Sequence, residues 1–134
     1  MREILFRGKR KDNGEWVEGY CVCVAEEYHY ILTGRLDIYR GNVQFEGDLV
    51  IPESVSQFCG LCDNNGNMIF EGDIVDILTE NEEIGVVAYE DGGFLVNADG
   101  FSVDFHSNIN GTDLEVIGNI HDNPELLRKE DEGK

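Results

Sequence analysis

Residues 84–97 read IGVVAYEDGGFLVN. Two short runs rich in Val, Ile, Tyr and Phe flank Asp91-Gly92-Gly93. An Asp-Gly step between such runs is a strong hairpin signal, because a tight hairpin loop needs residues that tolerate positive φ. The stretch therefore reads as two strands, and the sequence on either side repeats the pattern. NMIFEGDIVDIL (67–78) places Ile69, Ile74, Val75 and Ile77 around Glu71-Gly72-Asp73. There Gly72 supplies the freedom to turn into the next strand. GFSVDFHS (100–107) puts Phe101, Val103 and Phe105 on one face, and LEVIGNI (114–120) reads as a closing strand. HDNPELL (121–127) predicts one helical turn, with Asn123 as cap and Pro124 at its first position. Short strands with turns at close intervals predict a small closed sheet or barrel over 63–127.

The preceding half is also strand-like. EILFRG (3–8) is a first strand, and Asn13-Gly14 in Lys11-Asp12-Asn13-Gly14 predicts a two-residue hairpin turn. In the returning strand WVEGYCVCV (16–24), alternation places Tyr20, Val22 and Val24 on one face and Cys21 and Cys23 on the other. YHYIL (28–32) is another strand, whereas residues 36–45 carry no clear pattern. Pro52 in DLVIPESV favours an extended segment or a turn, with a single helical turn after it. No segment has the period of a long amphipathic helix. The expected fold is all-β: an N-terminal β region over 1–62, a barrel over 63–127 and a charged tail over 128–134.

Charge is unevenly placed along the 134 residues. Residues 1–40 hold seven basic and seven acidic groups, and residues 128–134 hold three of each. Between them, Gly41 to Leu127 contains no Lys or Arg and 18 carboxylates, so the whole formal charge of −18 falls on that stretch. A field of this sign repels the nucleic-acid backbone and anionic membrane surfaces, and it favours basic proteins or divalent cations. No apolar run approaches the roughly 20 residues that span a bilayer. The start MREILFRGKRK does not read as a signal peptide. Free thiols then suit a cytosolic setting.

Four cysteines form two close pairs, Cys21 with Cys23 and Cys59 with Cys62. Four thiolates can surround zinc tetrahedrally, and the second pair has knuckle-like spacing. The first has only one intervening residue, where consecutive zinc ligands usually have two or more. Cys59-Gly-Leu-Cys62 also lacks the strand-then-helix context that lowers a redox thiolate's pKa. The reading adopted is four small, semi-buried side chains with no metal and no cofactor. His29, His106 and His121 lie in separate segments and lack the spacing of a helical metal motif. Carboxylates crowd at Glu71 and Asp73, at Glu80, Glu82 and Glu83, and at Glu90 and Asp91. Such clusters suit Ca²⁺ or Mg²⁺. Asp63-Asn64-Asn65-Gly66 fails the spacing of a calcium loop, however, and reads as a turn.

Three segments together, MREILFRGKRKDNGEWVEGY, SQFCGLCDNNGNMIFEGDIV and EVIGNIHDNPELL, resemble the YopX family of phage and prophage proteins. They occur in the family's order, and the likeness covers residues 1–127. It implies an SH3-like barrel in the second half and no established activity or site residues. In the family, threonine is usual at the position of Cys59, and lysine or threonine is frequent at that of Cys62. The resemblance therefore implies no family-wide metal or redox role.

With no catalytic motif, the expected function is a non-enzymatic protein–protein interaction or structural module that associates with itself. Arg2, Arg7, Lys9, Arg10 and Lys11 are candidates for docking on the acidic part of a neighbouring subunit. Trp16, Tyr20, Tyr28, Tyr30 and Tyr39 suit either a core or an interface. The alternative is an acidic mimic of DNA that occupies a host nucleic-acid-binding protein. Direct nucleic-acid binding and membrane attachment are not expected.

Overall fold

The computed structural model describes residues 4–78, 83–105 and 109–127. The chain is all-β, with eleven strands and two 3-10 turns among the described residues. It divides into two compact units, Met1–Gln57 and Phe58–Lys134.

The first unit is an antiparallel meander of β1 (Phe6–Lys9), β2 (Trp16–Val24), β3 (Tyr28–Tyr39) and β4 (Asn42–Val50). β5 (Ser56–Cys62) begins beside β1, with Ser56 opposite Arg7 and Gln57 opposite Phe6. The last residues of β4 return to the chain just after β1. Arg10 bridges Val50, the Lys11 N–H donates to the Leu49 carbonyl at 2.9 Å, and the Ile51 N–H donates to the Lys9 carbonyl at 2.9 Å. The meander thus curls until its ends meet at one corner. Pro52–Ser54 forms the expected single helical turn. The Ser54 hydroxyl donates to the Ile51 carbonyl at 2.6 Å and accepts the Lys9 N–H at 2.8 Å.

One turn here differs from expectation, and a second lies where the sequence carries no expectation. Between β1 and β2 the Arg10 N–H donates to the Glu15 carbonyl at 2.8 Å, leaving residues 11–14 in the loop. The Asn13 side chain accepts the Glu15 N–H at 2.9 Å. This local bond suits an asparagine at negative φ, and of the loop residues only Gly14 has positive φ, +74°. Between β3 and β4, where the sequence shows no pattern, a two-residue loop of Arg40 (φ 50°) and Gly41 (φ 80°) joins Tyr39 to Asn42. A register shift between Leu32 and Leu36 breaks the alternation that would have revealed β3 and β4 at full length.

The second unit holds the rest of β5, then β6 (Met68–Phe70), β7 (Asp73–Ile77), β8 (Glu83–Glu90), β9 (Gly93–Ala98), β10 (Phe101–Asp104) and β11 (Leu114–Asn119). Residues 84–97 form the predicted hairpin. Glu90 pairs with Gly93, and Asp91 and Gly92 both have positive φ, 52° and 82°, as a type I′ loop requires.

The five-stranded sheet has the order β10-β9-β8-β7-β11. The expected closure is not found, because β10 and β11 lie at opposite edges and do not pair among the described residues. Closure is unnecessary for burial: Cys59 of β5, Ile69 of β6 and Ile109 pack with the sheet residues Val75, Ile77, Val87, Phe94, Val96 and Leu114 in one buried core. Phe105 and Val103 pack against this core, while Phe101 remains exposed. Leu127 and Leu126 donate to the Pro124 and Asn123 carbonyls in a helical turn. The Asn123 side chain does not cap that turn; its Oδ1 accepts the Asn119 N–H at 3.2 Å.

Candidate functional site

The first unit places apolar side chains on an open sheet face. Residues opposite one another in an antiparallel pair project to the same side. Tyr20 pairs with Leu32 and Leu32 with Gly47; Val22 pairs with Tyr30 and Tyr30 with Leu49; Val24 pairs with Tyr28. These rows form one face, on which Tyr20 is 59% exposed, Tyr28 45% and Val24 44%. The face is continuous because Gly47 has no side chain. A Cβ there would come within 3.3 Å of the Phe45 ring and 2.9 Å of the Ile31 carbonyl. Phe45 in turn meets Tyr30 edge-on, with ring centroids 5.5 Å apart. Trp16 continues the outer face along β2, two residues before Glu18 and four before Tyr20. Arg7 lies over its ring at 4.6 Å and Lys9 at 5.7 Å. Such cation–π contacts keep two positive charges beside the apolar rows.

The opposite face carries Cys21, Cys23, His29, Ile31 and Val50, of which Ile31 and Val50 are fully buried. The alternation expected for Tyr20, Val22 and Val24 against the two cysteines is therefore present. Its apolar set lies on the outer face, while of the cysteine set Cys21 is half-buried and Cys23 exposed.

The thiols differ in environment, and all four are free. Burial pushes the Cys59 thiol up to about 11, with Asp73 and Cys62 nearby opposing ionisation further. Cys21 is raised as well, first by burial and then by Cys23. Cys23 and Cys62 are exposed. A buried thiol held protonated is a packing group rather than a nucleophile. Among the described residues no three of His, Cys, Asp and Glu gather closely enough to hold a metal ion. The His29 Nδ1 is buried without a hydrogen-bond partner. His106, Glu80 and Glu82 lie outside the described residues, as do Arg2 and the charged tail.

Two carboxylates in the second unit are structural. Asp63, 3% exposed, accepts the Asn65 N–H at 2.9 Å, the Asn67 N–H at 2.8 Å, the Asn67 amide at 3.3 Å and the Val116 N–H at 2.8 Å. Burial pushes its carboxyl up, but these donors outweigh that effect and hold it below its ordinary value. The DNNGN turn is thereby tied to β11. Asp73, 1% exposed, accepts the Phe70 N–H at 2.8 Å across Glu71-Gly72. Gly72, at φ +87°, donates to the Val87 carbonyl at 2.8 Å and accepts the Ile120 N–H at 2.9 Å. Sequence reading saw two turns here and missed the buried acceptors inside them. An aspartate beginning or ending a glycine turn between apolar strands is the available signal.

Among the described residues no helix is long and apolar enough to cross a membrane. A model of the YopX protein family matches residues 5–128. The chain is similar to a crystal structure of protein EF1440 from Enterococcus faecalis, at 22% identity and a TM-score of 0.59. The likeness covers 95% of this chain and 99% of that one, and at this identity it speaks to the fold. A comparison with curated proteins finds no match.

Proposed function

The chain belongs to the YopX family, and we propose that it serves as a non-enzymatic protein–protein interaction or structural module. The observation that carries this reading is the outer sheet face on which Tyr20, Val24 and Tyr28 are exposed beside the half-buried Val22, Tyr30 and Leu32. Contiguous exposed apolar surface on a sheet marks an interaction site, and tyrosines supply large contact area at small entropic cost. The first unit also has little interior of its own, since Ile31 and Val50 are its only buried hydrophobic residues among those described. A unit of this size gains stability when a partner covers such a face.

A finer reading of the fold goes with it. A meander β7 to β10, a 3-10 turn at Gly111–Asp113, and a last strand returning beside β7 support an SH3-like fold left open between β10 and β11. That architecture leaves the function open. The phage or prophage setting and a place in the host cytosol belong to the same proposal.

The test is sedimentation velocity combined with affinity capture from the bacterial host, comparing wild type with a Tyr20→Ser, Tyr28→Ser variant. Loss of self-association or of specific partners in the variant, with its thermal melt unchanged, is the expected result. Unchanged self-association together with unchanged partner capture would remove the face from the reading. If the captured partner is instead a basic nucleic-acid-binding protein, kept by the variant and released by salt, the acidic second unit is the binding surface and mimicry is the better account.

A further inference from the structure

We infer that the open edge of β4 pairs with the β4 edge of a second copy of this chain, antiparallel and centred on Gln44. The inference rests on the interaction reading above and names the partner. β4 ends the strand order β4-β3-β2-β1, so among the described residues one side of Asn42–Val50 has no neighbouring strand until its last residues turn back to β1. A long strand with unpaired backbone groups is a template for strand addition unless it is blunted. This one carries neither proline nor lysine.

Backbone direction fixes which residues are available. In a two-residue hairpin the closing pair, Tyr39 and Asn42, is hydrogen-bonded. Asn42 and Gln44 therefore turn their N–H and C=O groups toward β3, and positions 43 and 45 turn theirs to the open edge. A symmetric pairing must set outward-facing positions opposite one another. Centring on Gln44 does so, with 43 opposite 45 of the second copy and the reverse.

The same register arranges the charges well. Asn42 falls opposite position 46, a glutamate. No carboxylate faces a carboxylate. Sliding the register until Glu46 faces Glu46 would place two acids together, which like-charge repulsion disfavours. The edge also offers apolar surface, because Ile38 is 74% exposed and Tyr39 68% at the adjoining turn. Asp37, Ile38, Tyr39, Asn42 and Gln44 line a shallow hollow there.

Charge also argues for a second copy meeting this unit rather than the other. Residues 1–57 hold seven basic and ten acidic groups, whereas residues 58–134 hold three basic and 18 acidic. Two copies approaching through their second units would bring two strongly negative surfaces together. The first units, with seven basic groups against ten acidic, repel one another far less.

Gln44 is exposed, so substitutions there test the contact without touching the interior. In a Cys23→Ser, Cys62→Ser background, Gln44→Cys is oxidised with copper phenanthroline and the product mapped by mass spectrometry. Cα atoms directly opposite at a non-hydrogen-bonded antiparallel pair lie about 4.5 Å apart, within reach of a disulfide. The expected product is a covalent dimer joined from position 44 to position 44, formed at protein concentrations where sedimentation already shows dimer. Gln44→Lys sets two ammonium groups at the two-fold axis and is expected to weaken dimerisation by at least about tenfold. Dimers that neither cross-link at 44 nor respond to Gln44→Lys would overturn the inference while leaving the interaction reading intact. A protein that stays monomeric at all concentrations would overturn it too. The Tyr20→Ser, Tyr28→Ser capture experiment then decides separately whether the face binds another protein.

Discussion

In the first unit Ile31 and Val50 are the buried hydrophobic residues among those described, whereas the second unit buries twelve, from Phe58 to Leu114. The first unit's apolar side chains stand instead on the outer face of β2, β3 and β4, and at the β3–β4 turn. The second unit adds two buried aspartates that hold its turns, and it carries most of the net negative charge. One chain thus combines a self-contained, acidic, well-packed unit with a near-neutral one whose apolar residues face outward. The difference teaches where to look for binding: apolar side chains withheld from an interior remain available for a partner.

Replacing Asp63 should separate the two units most sharply. Asp63→Ala leaves the Asn65, Asn67 and Val116 N–H groups without their acceptor. The expected cost is about 3 kcal/mol of second-unit stability, read by urea titration with hydrogen exchange resolved by segment. Equal loss in both units would break the comparison.

The same carboxylate gives a pH dependence. Its folded pKa lies below the ordinary 3.8, so its contribution is fully present above that value and is lost as the pH falls through the lower folded value. Second-unit stability should therefore be flat near neutrality and fall in acid, and Asp63→Asn should flatten the acid limb. An unchanged acid limb in that variant would show that other carboxylates carry it.

Thiol reactivity comes next. At pH 8, Cys23 and Cys62 should label rapidly with iodoacetamide, while Cys59, buried and raised to about 11, should label only after denaturation. Rapid native labelling of Cys59 would contradict the packing role given to it. A stoichiometric zinc ion in the purified protein would contradict that role more strongly.

The smallest stability effects belong to the outer face. Tyr20→Ser and Tyr28→Ser should each change stability of the isolated protein by no more than about 0.5 kcal/mol, measured by thermal melts at low concentration. A loss of several kcal/mol would mean these tyrosines are interior groups after all.

Much of the second unit was legible in the sequence because its signals are local. Asp91-Gly92 announces its turn through residues that tolerate positive φ, and Ile69, Ile74, Val75 and Ile77 are all buried as their pattern suggests. The first unit was less legible. Arg40 adopts a left-handed conformation that its identity does not advertise, and the shift between Leu32 and Leu36 hides the length of β3 and β4. The outer face was half visible. Alternation separated Tyr20, Val22 and Val24 from the cysteines, but it cannot say which side faces solvent, since that depends on how far the sheet curls. Asp63 and Asp73 were seen as turn residues; their buried bonds to Val116 and Phe70 depend on tertiary placement.

The most direct measurement is hydrogen–deuterium exchange followed over a dilution series spanning the association of the intact protein. Protection should rise with concentration across β2, β3 and β4, most strongly at positions 43 and 45, while β7, β8 and β9 stay constant. Protection that rises in the second unit, or in neither unit while the protein associates, would contradict the division of roles between a binding unit and a self-contained one.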